Sequence, residues 1–392
     1  MQICIVVDDY IPNSTKIAAK MMHQLACGFE SLGHEVYVIT PFIFTKIKKI
    51  DGVNILYYKN GPIKNVNMIR RAINETFLSF NAWRAFRKLK NKPKFDIIVS
   101  YSPSIFFGNF VSKLKKDNNS KVYLVLRDLF PQWAIDTGLI KKGSIIEKYF
   151  RYFESKNYDS ADTIGLMSKN NLVFFESFYN NKDNKKIEVL YNWSDDFYKS
   201  KTNIYKKKLG LEDKVVYFYG GNMGYAQDMM NIVRLAKNML NQKKAHFVLV
   251  GKGDEFNLIK NSIKKYNLVN MTLLNAVSQE EYMQMLSSFD VGLITLHKEH
   301  KTHNFPGKIL GYMTQGMPIL GSVNQNNDIK DIIEESNAGF ISINGNDDIF
   351  YENAVRLLDE KTLYDMGENS HNLLLKKFST QSAINQILSS CI

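Results

Sequence analysis

The sequence predicts an α/β protein of two domains, each a mostly parallel sheet doubly wound by helices. Three observations predict it. A strand, a helix and a second strand open the chain over residues 3–40. The same pattern recurs near the other end, with a strand at 291–296, a helix carrying Ile309, Leu310 and Met313, and a strand from Ile319. The length of 392 residues exceeds what a single hydrophobic core usually serves.

In order, residues 3–7 form an apolar strand, followed by a polar loop from Asp8-Asp9-Tyr10 to Ser14-Thr15-Lys16. Met21, Met22, Leu25, Ala26 and Phe29 give residues 17–32 one apolar stripe, so a helix is expected until Gly33 stops it. Residues 36–40 are the second strand. No G-x-G-x-x-G lies here, so a bound dinucleotide has no support. Residues 61–95 hold nine Lys or Arg against one acid, Glu75, and Ile69, Ile73, Phe77, Phe80, Trp83 and Phe86 recur every three or four residues. A basic amphipathic helix of that kind fits an anionic membrane surface, met through residues 64–94. The alternative is a helix whose aromatic face packs on its own domain.

Strands at 95–100 and 121–126 lead into Tyr101-Ser102 and into Arg127-Asp128, ahead of Pro131-Gln132-Trp133. Side chains at the carboxyl ends of such strands lie on the ligand edge of an α/β sheet; a structural ion pair or helix cap is the alternative for Arg127-Asp128. A helix with Tyr149, Tyr152, Phe153 and Tyr158 then leads to strands at 161–167 and 187–191. The linker between the domains is expected just before a lysine-rich stretch at 199–214. The expected division is 1–196 for the first domain, 197–375 for the second, and a helix over 376–392 returning to the first.

The second half offers strands at 215–219, 246–250, 271–275 and 290–296. Gly220-Gly221-Asn222-Met223-Gly224 follows the first of them, and glycines there let backbone N–H groups approach a phosphate. The stretch His303-Asn304-Phe305-Pro306-Gly307-Lys308 opens the helix that Gly316 and Pro318 close. Free N–H groups at a helix start, with Lys308 beside them, suit an anionic, phosphate-bearing ligand. His297, His300 and His303 are spaced by three, but a polar loop explains them as well as a metal does. No metal is expected.

Composition sets limits. A hydrophobic fraction of 45% and an aromatic fraction of 12% exclude a disordered chain. Cys4, Cys27 and Cys391 are scattered without disulfide or metal spacing. No stretch reaches the roughly 18 apolar residues of a membrane span. The first residues lack a basic leader region, so a cytoplasmic protein, held peripherally at the inner face of the cell membrane, is expected. The net charge of +12 suits nucleic acid, an acidic membrane or phosphorylated substrates, or reflects a lysine-rich composition alone. No recognised nucleic-acid module is present, and no nucleic acid partner is expected.

Taken together, Gly220-Gly221-Asn222-Met223-Gly224, Gly251-Lys252-Gly253, Phe305-Pro306-Gly307-Lys308 and Gly316-Met317-Pro318, in that order on two Rossmann-like halves, resemble the retaining glycosyltransferases of family 4, of the GT-B fold. Gly33-His34-Glu35-Val36, Met366-Gly367 and Phe378-Ser379 fit the same pattern. Asp8-Asp9-Tyr10, Ser14-Thr15-Lys16, Arg127 to Trp133 and His303 to Lys308 look more narrowly like the O-antigen subgroup of L-fucosamine transferases. The resemblance implies two domains facing a central cleft. It implies a UDP-sugar bound by the second domain, such as one of N-acetyl-L-fucosamine, and a polyprenyl-diphosphate-linked saccharide acceptor. No cofactor or metal is implied. Gly220, Gly221, Asn222, Gly224, Gly251, Gly253 and residues 303–308 would line the donor, with Gly311 close by and Asn275, Ala276 and Val277 at the base. Lys308, Lys16, Arg127 and Asp128 would be the catalytic set; Asp9, Thr15, Tyr101, Ser102 and Trp133 would face the acceptor.

The departures from that family are specific. Many members carry two glutamates eight apart around the site helix, and those positions are His303 and Gly311 here. The usual glycine pair of the first loop is replaced by Lys16-Ile17, a usual Arg by Asn222, and a usual His by Arg127. Chemistry remains feasible, because a sugar cation leaving a diphosphate is helped most by positive charge at the leaving group. A sugar-nucleotide epimerase on the same fold and an inactive nucleotide-sugar-binding subunit are the alternatives to a hexosyltransferase-type enzyme.

Overall fold

The computed structural model describes residues 1–14, 16–180, 184–196, 200–299 and 305–392, which form two compact units. Unit 1 comprises Met1–Trp193 with Thr380–Ile392, and unit 2 comprises Ser194–Ser379.

Unit 1 is built on β1 (Gln2–Val6), β2 (Glu35–Phe42), β3 (Lys46–Ile50), β4 (Val53–Lys59), β5 (Ile97–Ser102), β6 (Lys121–Leu126), β7 (Thr163–Leu166) and β8 (Lys186–Val189). Their order across the sheet is β3-β4-β2-β1-β5-β6-β7-β8, parallel throughout except for the antiparallel β3. Side chains alternate across β1: Ile3, Ile5 and Val7 enter one core, and Cys4 and Val6 the other. The first core is closed by α1 (Ile17–Ser31) with Ala383, Ile384 and Ile387, and the second by α3 (Leu78–Arg87), α4 (Gly108–Asn118), α6 (Ile145–Ser160) and α7 (Lys169–Phe178), while α2 (Met68–Thr76) and α5 (Gln132–Asp136) add no side chain to either core.

The single basic helix expected over 61–95 is in fact two. α2 stops at Phe77, where α3 begins, and only α3 sinks a full face, with Leu78, Ala82, Ala85 and Phe86 buried. Trp83 is half-buried against the core, so this part packs on its own unit. Met68, Ile69, Ile73, Phe77 and Phe80 stay exposed, Met68 at 87% and Phe80 at 62%.

Unit 2 contains α8 (Ile204–Leu209), β9 (Val215–Asn222), α9 (Met229–Asn238), β10 (Ala245–Lys252), α10 (Phe256–Lys265), β11 (Met271–Asn275), α11 (Gln279–Ser288), β12 (Val291–Thr295), α12 (Lys308–Thr314), β13 (Ile319–Val323), α13 (Ile329–Glu335), β14 (Gly339–Ile343), α14 (Asp347–Arg356) and α15 (Glu360–Leu373). All six strands are parallel, in the order β11-β10-β9-β12-β13-β14. The final helix, α16 (Thr380–Cys391), belongs to unit 1. It packs on α1, where Gly28 lets the two approach: a Cβ there would stand 2.3 Å from Ile384 Cδ1.

Candidate functional site

In each sheet the strand order reverses at one point, and there the flanking loops part and leave a crevice at the carboxyl edge. In unit 2 that point lies between β9 and β12. Parallel register lines up the ends of three strands beside it, with Gly221 opposite Gly251 and Gly251 opposite Asn275. Gly220 and Gly221 are therefore the last turns of strand β9 and not a loop after it. Their neighbours require small residues. A Cβ on Gly251 would lie 1.9 Å from the Gly221 carbonyl oxygen, and one on Gly220 would lie 2.3 Å from the Tyr282 ring.

Lys308 begins α12, which follows β12, and points back across the strand ends. Its Nζ sits 3.5 Å from the centroid of the Tyr219 ring, and a Cβ on Gly221 would be 3.8 Å from it. Burial pushes this ammonium down to about 7. Among the described residues no carboxylate is paired with it; the face of Tyr219 gives only partial compensation. The helix has seven residues, so Lys308 and not the helix dipole is the main positive charge. Phe305 is buried and stacks near Phe378, with ring centroids 5.6 Å apart, which anchors the loop entering at Pro306 and Gly307. His303 and Asn304, both expected at the donor, lie outside the described residues, as does His300.

The remaining donor-side residues differ in what they offer. The Asn222 amide donates to Gln227 Oε1 at 2.9 Å, and the Gly224 N–H donates to the same oxygen at 3.2 Å. Asn222 thus braces the turn and supplies no cation. Gly253 follows β10 next to the backbone of Met223. Asn275 and Ala276 are exposed and Val277 is half-buried just beyond β11, open to a ligand at the sheet edge. Gly311 lies one turn into α12, and a Cβ there would meet Leu286 Cδ1 at 3.1 Å. Leu286 would have to give by a few tenths of an ångström to admit that carbon.

In unit 1 the strand order reverses between β1 and β5. Asp8 and Asp9 follow β1, and Lys64 bridges them, with Nζ 3.2 Å from Asp8 Oδ2 and 2.8 Å from Asp9 Oδ2. Ser14 Oγ donates to Asp9 Oδ2 at 2.8 Å. Lys16 is exposed at the start of α1, its backbone N–H donating to Ser14 Oγ, and Thr15 lies outside the described residues. Tyr101 and Ser102 end β5 and are buried; among the described residues Ser102 Oγ has no partner. Burial pushes the Tyr101 phenol up to about 12, Arg127 opposing and Asp8 and Asp128 adding to it.

Asp128 is raised above the usual carboxylate range because burial outweighs the hydrogen bond from Trp133 and the charge of Arg71. Arg127, expected as a catalytic cation, has its guanidinium turned to backbone carbonyls of unit 1. Nη1 lies 3.4 Å from Leu126 O and 3.3 Å from Gly165 O, and Nη2 lies 3.2 Å from Tyr191 O, with Trp193 beneath the plane at 5.6 Å. It ties the ends of β6, β7 and the segment after β8 together. Burial pushes it down to about 10.

Sequence reasoning passed over four participants. Tyr219 was visible only as a strand residue, yet its ring is the floor under Lys308. Tyr282 enters from α11, far along the chain, and nothing local signals it. Lys64 and Arg71 were counted as surface charge. Lys64 holds Asp8 and Asp9, and Arg71 Nε lies 3.0 Å from Oε1 of the buried Glu75. Glu75 is raised mainly by burial, against the pull of Arg71.

Comparison with known proteins bears on the fold and on most of unit 2. Residues 201–373 match the family described as glycosyl transferases group 1. The chain is 23% identical over 209 residues to the N-acetyl-alpha-D-glucosaminyl L-malate synthase of Bacillus anthracis, covering 52% of this chain and 53% of that protein. It therefore spans about half the length of that relative. It is 23% identical over 291 residues to the probable glycosyltransferase WbjE of Pseudomonas aeruginosa, covering 72% and 71%. Among solved structures, Anabaena Alr3699/HepE in complex with UDP superposes with a TM-score of 0.70 at 12% identity, covering 100% of this chain and 99% of that one. No described helix is long and apolar enough to cross a membrane. The fold is that of GT-B glycosyltransferases, and residues 201–373 carry the resemblance to group 1 glycosyl transferases.

Proposed function

We propose that the protein is a retaining glycosyltransferase that takes a sugar from a UDP-sugar held by unit 2. The observation that carries this reading is Lys308: a half-buried residue whose ammonium is desolvated, with no described carboxylate partner, over an aromatic ring, beside glycines at the reversal point of a Rossmann sheet. A desolvated cation is costly until an anion meets it. A diphosphate supplies that anion, and the UDP bound by Alr3699/HepE supports the choice of nucleotide.

As the glycosidic bond to the diphosphate breaks, negative charge grows on the leaving oxygens, and Lys308 lies where it can neutralise it. Removing one such donor typically costs about 2.7–4 kcal/mol of transition-state stabilisation. The departing phosphate can take the acceptor proton itself, so no protein base is required. The donor-facing residues are then Gly220, Gly221, Gly251, Asn275 and Lys308, with Asn222 and Gly224 shaping the turn.

The acceptor side is assigned to unit 1. Asp8, Asp9 and Asp128 offer carboxylate oxygens to sugar hydroxyls, and Trp133, 40% exposed, offers an aromatic face to a sugar ring. The acceptor proposed is a lipid-linked oligosaccharide of O-antigen or capsule synthesis, and the donor a UDP-linked N-acetylated deoxyhexosamine such as N-acetyl-L-fucosamine. An anionic membrane surface accounts for the uncovered apolar residues of α2 and α3, since Arg70, Arg84, Arg87 and Lys88 are exposed around them. Ile145 and Ile146 extend the apolar area on α6, which a hydrogen bond between the Thr76 and Tyr149 hydroxyls joins to α2.

The test is transfer from a panel of UDP-sugars to polyprenyl-diphosphate-linked acceptors, with product anomers read by NMR. Transfer with retention is expected, and Lys308→Ala should lower turnover at least tenfold with the fold intact. UDP binding without turnover on any acceptor would make the protein a binding subunit instead.

A further inference from the structure

His23 and Cys27 are one helical turn apart on α1, so both side chains leave the same face. Opposite them stands the tip of the β3–β4 hairpin, where Ile50 pairs with Val53 and only Asp51-Gly52 lie between. Both tip residues have left-handed backbone (φ +48° and +79°), as this two-residue turn requires. The tip is also seated on α1 by a second contact, since a Cβ on Gly52 would fall 2.4 Å from the Glu30 carboxyl group. Asp51 is thereby presented to the helix by rigid elements on both sides.

The donor atoms converge. His23 Nε2 lies 3.0 Å from Asp51 Oδ2 and 3.4 Å from Cys27 Sγ, and the three ligand atoms lie within 4.8 Å of one another. Tetrahedral zinc with its usual bond lengths separates a nitrogen from an oxygen ligand by about 3.4 Å and from a sulfur ligand by about 3.6 Å. The two spacings from Nε2 differ from these by a few tenths of an ångström, and Cys27 Sγ and Asp51 Oδ2 lie within 4.8 Å of each other. His23 Nδ1 is also committed: it is 2.8 Å from the hydroxyl of the buried Tyr10. Such a partner on the far nitrogen fixes the ring plane and leaves Nε2 as the ligand.

We propose that His23 Nε2, Cys27 Sγ and Asp51 Oδ2 form three corners of a tetrahedral site for a divalent cation of zinc type, with water or an outside ligand at the fourth. The set of one thiolate, one imidazole and one carboxylate matches that ion's borderline softness and excludes calcium and magnesium, which take oxygen. Binding releases the Cys27 proton. The site lies in unit 1 and supplies no group to the bond-breaking step. Its effect is to clamp the hairpin onto α1 and, through Tyr10, to steady the loop that carries Asp8 and Asp9.

The experiment uses the full chain, stripped with chelator and free of nucleotide, titrated with Co²⁺ and then Zn²⁺. Cobalt at one per chain should give visible d–d bands and a thiolate-to-cobalt charge-transfer band, both erased by Zn²⁺. Cys27→Ser should abolish the charge-transfer band, and Cys391→Ser should keep it. Asp51→Asn, at a carboxylate 70% exposed and so safe for folding, should weaken zinc at least tenfold. Tyr10→Phe should weaken it about tenfold as well, the usual cost of losing an outer partner. No stoichiometric cobalt spectrum, a charge-transfer band that survives Cys27→Ser, or unchanged zinc affinity in Asp51→Asn would overturn the proposal.

Discussion

Replacing Lys308 by methionine should make the ligand-free protein more stable and at the same time remove its response to UDP. The ammonium falls from 10.5 to about 7 through burial alone. At about 1.36 kcal/mol per pH unit, that fall is an upper bound of about 5 kcal/mol stored against the charged form. Because the folded pKa lies below the unfolded one, the folded chain binds fewer protons between pH 7 and 10.5. Stability therefore rises with pH through that window, and the penalty is fully present below 7. Lys308→Met keeps the volume and removes the charge, so its gain should be largest at pH 6 to 7 and fade toward pH 10. UDP binding should recharge Lys308: at pH 8 the free protein holds it mostly neutral, so close to one proton should be taken up per UDP bound. Calorimetry in two buffers of different ionisation enthalpy reads that proton directly. Thermal unfolding with UDP at about 100 times its dissociation constant should gain about 2.7 kcal/mol in the native chain. The variant should bind at least tenfold more weakly. Proton uptake near zero, together with equal UDP stabilisation of both proteins, would refute the assignment of Lys308 to the diphosphate.

Three further outcomes follow from contacts described above. Gly251→Ala drives a Cβ into the Gly221 carbonyl at 1.9 Å, where neither backbone can yield, so it should destabilise unit 2 by about 3 kcal/mol or more and abolish UDP binding, as thermal unfolding and calorimetry would show. Asp9→Asn weakens the grip of Lys64 on the loop after β1; the efficiency toward acceptor should drop about tenfold, or about 1.4 kcal/mol, while UDP affinity, a property of unit 2, stays constant. Ile73→Ser combined with Phe80→Ser removes two exposed apolar groups, each worth about 1.5–3 kcal/mol when buried. Sedimentation with anionic vesicles should fall at least tenfold with circular dichroism unchanged, and equal sedimentation would sink the membrane reading.

The ends of β1, β6, β9 and β10 were legible because a buried parallel strand is a short apolar run, followed in these four by glycine or charge. The antiparallel β3, with Lys48 and Lys49 exposed, carries no such signal, and sequence reasoning passed over β3, β4 and β14. The pairing of Gly221 with Gly251 was not legible either, since register depends on which strands neighbour one another and no local signal carries that. The basic window at 61–95 shows the same boundary. Its helical spacing was readable, yet the break at Phe77 arises because α3 buries Leu78, Ala82 and Phe86 while α2 buries only Glu75. Periodicity alone cannot tell an apolar face that is covered from one left open. Arg127 was readable as a residue at a strand end, but its carbonyl partners come from Gly165 and Tyr191, 38 and 64 positions away.

Gly311 joins these arguments to a measurement. A carboxylate at that position would accept a hydrogen bond from a ribose hydroxyl, and this chain has no side chain there, with Leu286 Cδ1 3.1 Å from where a Cβ would begin. Losing a hydrogen bond to a charged group costs about 1.5–3 kcal/mol, whereas losing one to a neutral partner costs about 0.5–1.5 kcal/mol. If the ribose is held without a carboxylate, 2′-deoxy-UDP and 3′-deoxy-UDP should each bind within about tenfold of UDP, the upper end of the neutral range. A preference for UDP of fiftyfold or more would mean that a charged group elsewhere has taken over the ribose. Glu255, two residues after Gly253, accepts the Met229 N–H at 2.8 Å through one oxygen, which leaves the other to be tested by Glu255→Gln. The deoxynucleotide comparison thus separates a pocket that reads the ribose by shape and backbone from one that has moved its carboxylate.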